Sequence, residues 1–337
     1  ILLGRALGAV VGKRAEVVGG LILMFGPAVW LVGSSLKTPA ALAEFPPTIL
    51  PYATQQATVP GFDKPLPLYE VTQPDGGTRV LAEVRRIGTV GQMVDPQNPG
   101  EIVKVNIADR TPLRTLSFAF ANYTEPFTHF DFLRYLWNSV FVTVMATLIT
   151  LVVNSMAAFA LSKYEFRGRS AAMLVILATL MVPLSVILVP LYSIISALGL
   201  FNNLWGVILP TVATPTGVFI LRQYMLTIPD ELIDAARMDK ASEWQIYWRI
   251  ILPLTAPALA VLAIFSVVWR WNDFLWPLIV VNDASMATVP IGLQMFSGER
   301  GTDWGPLMAA VTLVVLPSLL IVVLLQKQLQ QGVSMGG

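Results

Sequence analysis

Long apolar stretches dominate the hydrophobic pattern of this chain. A helix needs roughly 20 mostly apolar residues to cross the hydrocarbon core of a bilayer. Stretches of that length and composition lie at 17–36, 138–161, 171–196, 204–226, 255–279 and 305–326. The pattern therefore predicts an all-α membrane protein with six transmembrane helices. Prolines inside the third and fourth stretches predict kinks there, at Pro183, Pro190, Pro210 and Pro215.

The segment between the first two stretches, 37–133, follows another pattern. Polar residues alternate with β-branched ones, and the turn-forming sequences DGG and NPG interrupt the alternation at 75–77 and 98–100. Alternation of period two with Gly, Pro, Asn and Asp punctuation is typical of short strands and turns. We therefore expect a small β-rich insert between the first and second transmembrane helices.

Composition and basic residues set the environment and the orientation. Of the 337 residues 55% are hydrophobic and 13% are charged, about half the charged fraction of an ordinary soluble domain. Lys and Arg favour the cytoplasmic ends of spans. With six spans, the basic segments all fall on one side: 1–16, 162–170, 227–254 and 327–337. Both termini are therefore predicted to be cytoplasmic and the insert extracytoplasmic.

The sequence excludes several kinds of chemistry. The chain has no cysteine and a single histidine, His129, in a polar loop. Thiol catalysis, disulfides and Cys/His metal sites are excluded, and His129 is better explained as an exposed loop residue than as part of a catalytic triad. No GxxxxGK[ST] phosphate-binding loop occurs, so the chain is expected to bind no cofactor of its own.

Few polar groups interrupt the predicted spans. Asn154 is the clearest one inside a span, and Arg270, Asn272 and Asp273 lie near the outer end of the fifth. Ionisable groups in a membrane are expensive and usually functional. Their scarcity argues against a proton- or sodium-driven carrier.

The segment from Glu231 to Leu254 is unusually charged and aromatic for its position between two spans. Pro229 and Asp230 predict the start of a helix, with Asp230 as its N-cap. Ile233, Ala236 and Ala241 are expected on one face of this helix and Asp234, Arg237 and Lys240 on the other. The small side chains of Ala235 and Ala236 would permit close approach of a partner. Farther on, amphipathic rings suited to the membrane interface occur at Trp244, Tyr247 and Trp248.

Two interpretations of this segment remain open. It could be a helix lying on the lipid surface, or a docking element for a protein. Acidic residues, at Asp230, Glu231, Asp234, Asp239 and Glu243, are as frequent as basic ones, at Arg222, Arg237, Lys240 and Arg249. Lipid-surface helices favour a Lys/Arg-rich polar face, so the mixed charge favours a protein partner.

Motifs in this segment resemble the coupling-loop motif of bacterial ATP-binding cassette importer permeases. They are Asp234-Ala235-Ala236, Asp239-Lys240-Ala241 and Ile250-Ile251-Leu252-Pro253. Lys240 stands where that family usually has glycine. The stretches 138–169, 191–210 and 271–310 are similar to the carbohydrate-uptake subfamily, and more closely to the smaller maltose-type permease subunit.

The resemblance implies a multi-pass permease subunit of the bacterial cytoplasmic (inner) membrane that imports a carbohydrate such as a mono- or disaccharide or a sulfosugar. It implies a second permease, two ATPase subunits that bind ATP and Mg, and an extracytoplasmic solute-binding protein as partners, with no nucleic acid. The expected organisation is a leader and first helix at 1–36, the insert at 37–133, a permease core at 134–326 with a coupling helix at 227–254, and a cytoplasmic tail at 327–337.

Site residues follow partly from the resemblance and partly from residue type. The resemblance implies ATPase coupling through Glu231, Asp234, Ala235, Ala236, Asp239, Lys240 and Ala241. It also implies binding-protein contacts in the 283–303 loop, where candidates are Gln294, Ser297, Gly298 and Asp303. Sugar sites use aromatic stacking and amide hydrogen bonds in a concave site, which makes substrate-path candidates of Asn154, Tyr192, Trp269, Trp271 and Asn272.

Three rival interpretations stay open. A secondary solute carrier would need buried carboxylates or an inverted repeat, and neither is evident. A membrane enzyme would need a polar cluster at a span end, for which the residues available are Arg270, Asn272, Asp273 and Asp303. A permease for a non-sugar solute such as glycerol phosphate would share every motif described above.

Overall fold

The structure of the protein is a computed structural model that describes residues 2–45, 47–72, 77–129, 131–298 and 301–334. Contacts divide the chain into two compact units, one formed by 1–126 with 300–312 and the other by 127–299 with 313–337. Helices dominate the second unit, whereas the first contains most of the strands.

The first unit begins with a long helix and continues into short antiparallel strands. Its helices are α1 (Leu2–Ser35), α2 (Pro39–Leu42) and the start of α3 (Ala121–His129). Its strands up to α3 are β1 (Tyr52–Thr54), β2 (Gln56–Ala57), β3 (Leu66–Thr72), β4 (Thr78–Ile87), β5 (Val90–Asp95), β6 (Asn98–Asn106), β7 (Arg110–Pro112) and β8 (Arg114–Leu116). Strands β2 to β6 form one sheet in sequence order, β7 pairs with β3, and β1 pairs with β8. The prediction of a β-rich region after the first helix is confirmed.

This sheet is covered on both faces. Successive side chains of a strand point to opposite faces, yet both Leu81 and Ala82 on β4 are buried, as are both Met93 and Val94 on β5. Ala82 and Val94 pack together in one cluster, and Leu81 and Met93 pack in another. The sheet therefore has two small hydrophobic cores.

The second unit is built around α4 (Phe132–Lys163), which packs against α8 and α12. The helices up to the breaks discussed below are α5 (Arg169–Thr179), α6 (Leu184–Ala197), α7 (Leu204–Ile208) and α8 (Pro215–Met225). Those that follow are α9 (Glu231–Met238), α10 (Glu243–Ile246), α11 (Leu252–Leu254), α12 (Ala256–Trp271), α13 (Leu275–Val280), α14 (Val289–Leu293) and α15 (Trp304–Ser334). Two short strands, β9 (Ser297–Gly298) and β10 (Gly301–Thr302), precede α15.

One face of α4 carries a buried row of small polar side chains. The row consists of Ser139, Thr143, Thr147, Thr150 and Asn154, all 6% exposed or less. Their spacing of three or four residues places them on one side of the helix. Small and hydroxyl-bearing residues let membrane helices approach closely and bond across the interface. The row indicates a helix-packing face. Of its five residues, only Asn154 was identified from the sequence.

Breaks lie inside two of the predicted spans and at the start of a third. The axes of α5 and α6 differ by 104°, those of 204–211 and α8 by 44°, and those of 243–254 and α12 by 75°. Pro183 precedes α6 and Pro215 begins α8, so the kinks predicted at these two residues are confirmed, whereas Pro190 lies inside α6. The prediction of a continuous helix over 255–279 is wrong, because α12 ends at Trp271 and α13 begins only at Leu275.

The number of spans depends on how the bent pairs are counted. By length and composition, the described residues contain two helices able to cross a membrane, Val18–Ser35 and α4, or up to five if each bent pair is one span. A shorter apolar helix covers Trp304–Leu320. The protein is thus mostly helical, with a β-rich N-terminal region.

Candidate functional site

The predicted docking element is a helix–turn–helix with one buried face. Ile233 and Ala236 of α9 are 3% and 9% exposed and pack into the same cluster as Leu221 and Met225 of α8. The outward face of α9 exposes Glu231, Leu232, Asp234, Ala235, Arg237 and Met238. Met238 is 84% exposed although it is apolar. The element is therefore anchored by its apolar face and presents acidic, small and apolar side chains outward.

Two details of this element differ from the prediction. Ala236 was expected where a partner would approach, but it faces the core of its own chain, and Ala235 is the exposed small residue. Asp230 was expected to cap α9, but its side chain makes no capping hydrogen bond. Its carboxylate instead accepts from Lys163 Nζ at 2.6 Å, because the end of α4 lies beside the start of α9.

The turn after α9 depends on Lys240. Its φ of +60° lies in the left-handed region that favours glycine. The amide of Lys240 donates to Arg237 O and the amide of Ala241 donates to Ala236 O, each at 3.0 Å. These two bonds form a Schellman motif, in which the residue after the C-cap is left-handed. The position where the resemblance anticipates glycine is therefore one that requires glycine-like geometry, and Lys240 adopts it.

The second part of the element starts with a capping box. Gln245 N donates to Ser242 Oγ at 3.3 Å, and Ser242 N donates to Gln245 Oε1 at 2.8 Å. A π-helical turn over Tyr247–Ile251 follows α10. Tyr247 was expected at the membrane interface, but it is 2% exposed and shares a hydrogen bond of 2.7 Å with Ser155 of α4.

Glu243 ties the two parts of the element to the end of α4. It accepts from Arg237 Nε at 2.9 Å and from the Tyr164 hydroxyl at 2.5 Å. Burial, together with the hydrogen bond to Glu243 and the charge of that carboxylate, raises the pKa of Tyr164 to about 12. Tyr164 therefore keeps its proton and remains a donor. With the Lys163–Asp230 pair, this contact links the docking element to the end of α4.

A separate cavity of about 490 Å³ lies between α4, α8 and α12. Its lining residues are Thr150, Thr214, Thr216, Gly217, Ile220, Leu262, Phe265, Ser266, Val268, Trp269, Arg270 and Asn272. Trp269 is 70% exposed. Hydroxyls, an amide, an indole and a guanidinium thus share one concave surface, which we call the α12 cavity.

The five substrate-path candidates fall into different places. Trp269 and Asn272 line the α12 cavity. Tyr192 lines another cavity of about 440 Å³ with mostly apolar walls. Trp271 is 4% exposed and donates from Nε1 to Val314 O at 3.0 Å, so its role in packing corrects the prediction of a substrate contact.

Asn154 supports the α12 cavity from behind. It is fully buried, its Nδ2 donates to Thr214 Oγ1 at 2.5 Å, and its Oδ1 accepts from Thr214 N at 3.2 Å. A Cβ on Gly217 would lie 2.3 Å from Asn154 Nδ2. Asn154 therefore positions the first turn of α8, which corrects its prediction as a substrate contact.

Most of the cavity wall was not predictable from the sequence. Thr150 and Ser266 reach the cavity from α4 and α12, and Arg270 was not among the substrate-path candidates. The one signal available was the spacing of Ser266 and Arg270, four residues apart and hence on one face of a helix. The hydroxyl-bearing residues Thr214 and Thr216 lie at or just after the break before α8, and the hydropathy pattern does not show where that break lies.

The binding-protein candidates lie around the two short strands. Gln294 and Asp303 are exposed. The backbone of Ser297 and Gly298 forms β9, and their side-chain surroundings lie outside the described part of the structure. Gln294 follows α14, and Asp303 O accepts from Leu307 N in the first turn of α15.

Comparison with known families decides the assignment. Residues 151–335 match the model of the binding-protein-dependent transport system inner membrane component. The chain belongs to this family. It is the permease subunit of a binding-protein-dependent ABC importer, a transport subunit and not an enzyme.

Curated relatives and solved structures agree with this assignment. The permease is 37% identical over 200 residues to the arabinooligosaccharides transport system permease protein AraQ of Halalkalibacterium halodurans, covering 59% of this chain and 72% of the relative. It is 35% identical over 199 residues to the sn-glycerol-3-phosphate transport system permease protein UgpE of Pectobacterium atrosepticum, covering 58% and 71%.

A crystal structure of a bacterial ABC transporter involved in the import of the acidic polysaccharide alginate has a chain with the same fold as the permease. The TM-score is 0.68 at 18% identity, and 96% of both chains is covered. The permease fold thus extends over nearly the whole chain, including the β-rich region.

Proposed function

We propose that the permease imports a carbohydrate. The observation that carries this proposal is the similarity to AraQ, whose name specifies arabinooligosaccharides. The α12 cavity supports it, because the indole of Trp269 and the amide of Asn272 are groups that stack on and bond to sugars. A glycerol phosphate is the second candidate, favoured by the similarity to UgpE.

The proposed topology has six transmembrane helices in the bacterial inner membrane, with both termini cytoplasmic. The proposed domains are the leader and first helix at 1–36, the extracytoplasmic insert at 37–133, the core at 134–326 and the tail at 327–337. The basic segments on one side of the spans support this orientation. The lengths of α1 and α4 support the first two spans.

The proposed assembly contains a second permease, two ATPase subunits that hold ATP and Mg, and an extracytoplasmic binding protein. The element 231–254 is the ATPase-coupling element, with contacts from Glu231, Asp234, Ala235, Asp239 and Lys240. Ala236 and Ala241 would support this surface from within. The binding protein would contact the exposed side chains of Gln294 and Asp303 and the β9 backbone at 297–298.

The outward face of α9 supports the coupling proposal. Asp230, just before α9, accepts from Lys163, and Glu243 of α10, which also accepts from Arg237 of α9, accepts from Tyr164. A displacement of α9 by an ATPase subunit would therefore be transmitted to α4, and rigid-body movement of this kind switches transporters between states.

The test uses charge reversal on the exposed face of α9. In Asp234→Lys and Ala235→Arg permeases, we expect ATPase recovery in a detergent pull-down, normalised to permease amount, to fall at least tenfold. Glu101→Lys, an exposed residue of β6 in the insert, is the matched control and should leave recovery unchanged. Full recovery with both α9 variants would refute the coupling proposal.

The carbohydrate part needs a separate measurement. The complete transporter in proteoliposomes, with its binding protein, should accumulate labelled arabinotriose or maltose in an ATP-dependent manner. Accumulation of glycerol 3-phosphate with neither sugar accumulated would replace the carbohydrate by the second candidate.

A further inference from the structure

Arg270 is a cation held inside the helical unit by neutral groups. Its guanidinium donates to Ser266 Oγ at 2.5 Å, to Thr150 Oγ1 at 2.7 Å and to Thr211 O at 2.5 Å. These bonds come from α12 itself, from α4 and from the turn before α8. They fix the position of the side chain without neutralising its charge.

No ion pair in the described part of the chain includes Arg270. Its Nε is buried and has no hydrogen-bond acceptor. Asp273 borders the same small recess beside Arg270, but its Oδ1 accepts from Trp276 N at 3.5 Å rather than from the guanidinium. A charge within a membrane helix that no direct ion pair neutralises is costly, and such groups are usually functional.

The α12 cavity gives this charge a chemical setting. Arg270 lines the cavity, and no acidic side chain does. The other polar side chains there are hydroxyls, the amide of Asn272 and the indole of Trp269. A volume of about 490 Å³ lies within the usual range of small-molecule sites, about 300 to 1,000 Å³. The cavity is therefore a site with donors, an aromatic wall and one positive charge.

We propose that the α12 cavity is a substrate subsite for an anionic group, with Arg270 as the cation that binds it. The inference rests on the proposed function and narrows it, because the cargo would be an acidic carbohydrate bearing a carboxylate, sulfonate or phosphate. A guanidinium binds such groups through charge-assisted hydrogen bonds, and the Nε–H of Arg270 has no acceptor within the described part of the chain. Trp269 would stack on the sugar ring, and Thr150 and Ser266 would hold Arg270 toward the anion.

The competing explanation is purely structural, since Arg270 also joins α12 to α4 and to Thr211. Arg222 provides the matched control, because its Nε donates to Leu161 O at 2.9 Å and it does not line the cavity. Both arginines connect α4 to another helix through hydrogen bonds. Only Arg270 would discriminate a charged from an uncharged ligand.

The experiment measures binding to the assembled transporter in detergent without its binding protein. The probes are three pairs: glycerol and glycerol 3-phosphate, arabinobiose and digalacturonate, methyl glucoside and sulfoquinovose. In the wild-type transporter, the anionic member of at least one pair should bind at least tenfold more tightly. The Arg270→Gln substitution should lower the affinity for that anion about tenfold to a hundredfold, the usual contribution of a hydrogen bond to a charged group. The affinity for its neutral partner should change less than threefold.

The further variants make the result specific. Arg270→Lys keeps the charge and loses the planar guanidinium donors. Its affinity for the anion should lie between those of the wild type and of Arg270→Gln. Arg222→Gln should keep the wild-type preference for the anion. Equal weakening of both members by Arg270→Gln would overturn the inference and leave Arg270 as a structural tie. Wild-type protein that prefers no anion would also overturn it, and this measurement needs no variant to fold.

The outcomes separate this inference from the proposed function. ATP-dependent import of arabinotriose without any preference for anions would keep the carbohydrate function and reject the subsite. Import of glycerol 3-phosphate alone, lost in Arg270→Gln, would reject the carbohydrate and keep the anion subsite.

Discussion

Lys163 and Asp230 form an ion pair of 2.6 Å between the last residue of α4 and the residue before α9. The Lys163 side chain is 3% exposed, whereas that of Asp230 is 76% exposed. Lys163 Nζ also donates to Ile228 O at 2.5 Å. A buried ammonium thus holds the chain at the point where it leaves α8 and enters the proposed coupling element.

Loss of this pair should uncouple hydrolysis from transport. In Asp230→Asn, we expect ATPase subunits to remain bound, because the exposed face of α9 is unchanged. Sugar accumulation per ATP hydrolysed in proteoliposomes should fall several-fold, because α9 loses one link to α4. Glu165→Gln, which removes an exposed charge from the loop after α4 without touching Lys163 or the proposed ATPase contacts, is the control. An unchanged ratio in Asp230→Asn would show that the pair plays no part in coupling.

Replacement of Lys240 by glycine should stabilise the permease. A left-handed conformation costs a residue with a side chain roughly 1–2 kcal/mol, and glycine removes this cost. Part of the stabilisation is offset, because glycine has greater conformational freedom in the unfolded chain. We therefore expect Lys240→Gly to stabilise the protein by about 1 kcal/mol and to raise the thermal midpoint in detergent. Lys240→Val should lower it, since a β-branched side chain tolerates positive φ poorly. A lower midpoint for Lys240→Gly would contradict the Schellman turn.

Substitution of Gly217 by alanine should disturb the cavity wall. The new Cβ would lie 2.3 Å from Asn154 Nδ2 and 2.5 Å from Thr214 Oγ1, so the polar contact between these residues must shift. Overpacking of this kind costs about 1–3 kcal/mol. Thermal unfolding in detergent measures the loss, and Gly20→Ala, inside α1 and with no atom within 4 Å of its Cβ, should not lower the midpoint. Equal midpoints for the two variants would argue against the close packing at Gly217.

The proposed topology can be tested with single cysteines, because the native chain has none. Arg167→Cys should be protected from an impermeant maleimide added to intact cells, since it lies in a loop predicted to be cytoplasmic. Lys104→Cys in β6 should be labelled, as should cysteines at Gly298 and at Asp75, which lies outside the described residues. Permeabilised cells provide the control, where all positions should react. Labelling of Arg167→Cys alone in intact cells would show that the orientation is the reverse of the proposed one.

The sequence by itself determined the membrane class, the β-rich region and the position of the charged helix–turn–helix at 231–254. These features depend on local properties: the length of apolar runs, alternation in strands, and the proline and charge pattern around Glu231. Such signals need no partner farther along the chain. The kinks at Pro183 and Pro215 were predictable for the same reason, because proline acts on its own backbone.

Only the tertiary structure decided which side chains form sites. Asn154, Trp269 and Trp271 share the properties of substrate contacts in the sequence, but packing directs Asn154 to Thr214 and Trp271 to Val314, and leaves Trp269 at the cavity. The guanidinium of Arg270 is positioned by hydrogen bonds to Thr150 and Thr211, which are distant from it in the sequence. The break in each bent span sets the direction of the next helix, and hydropathy does not encode that angle. The anchored face of α9 was predictable from its periodicity, whereas its connection to α4 through Lys163 and Tyr164 depends on how the helices pack.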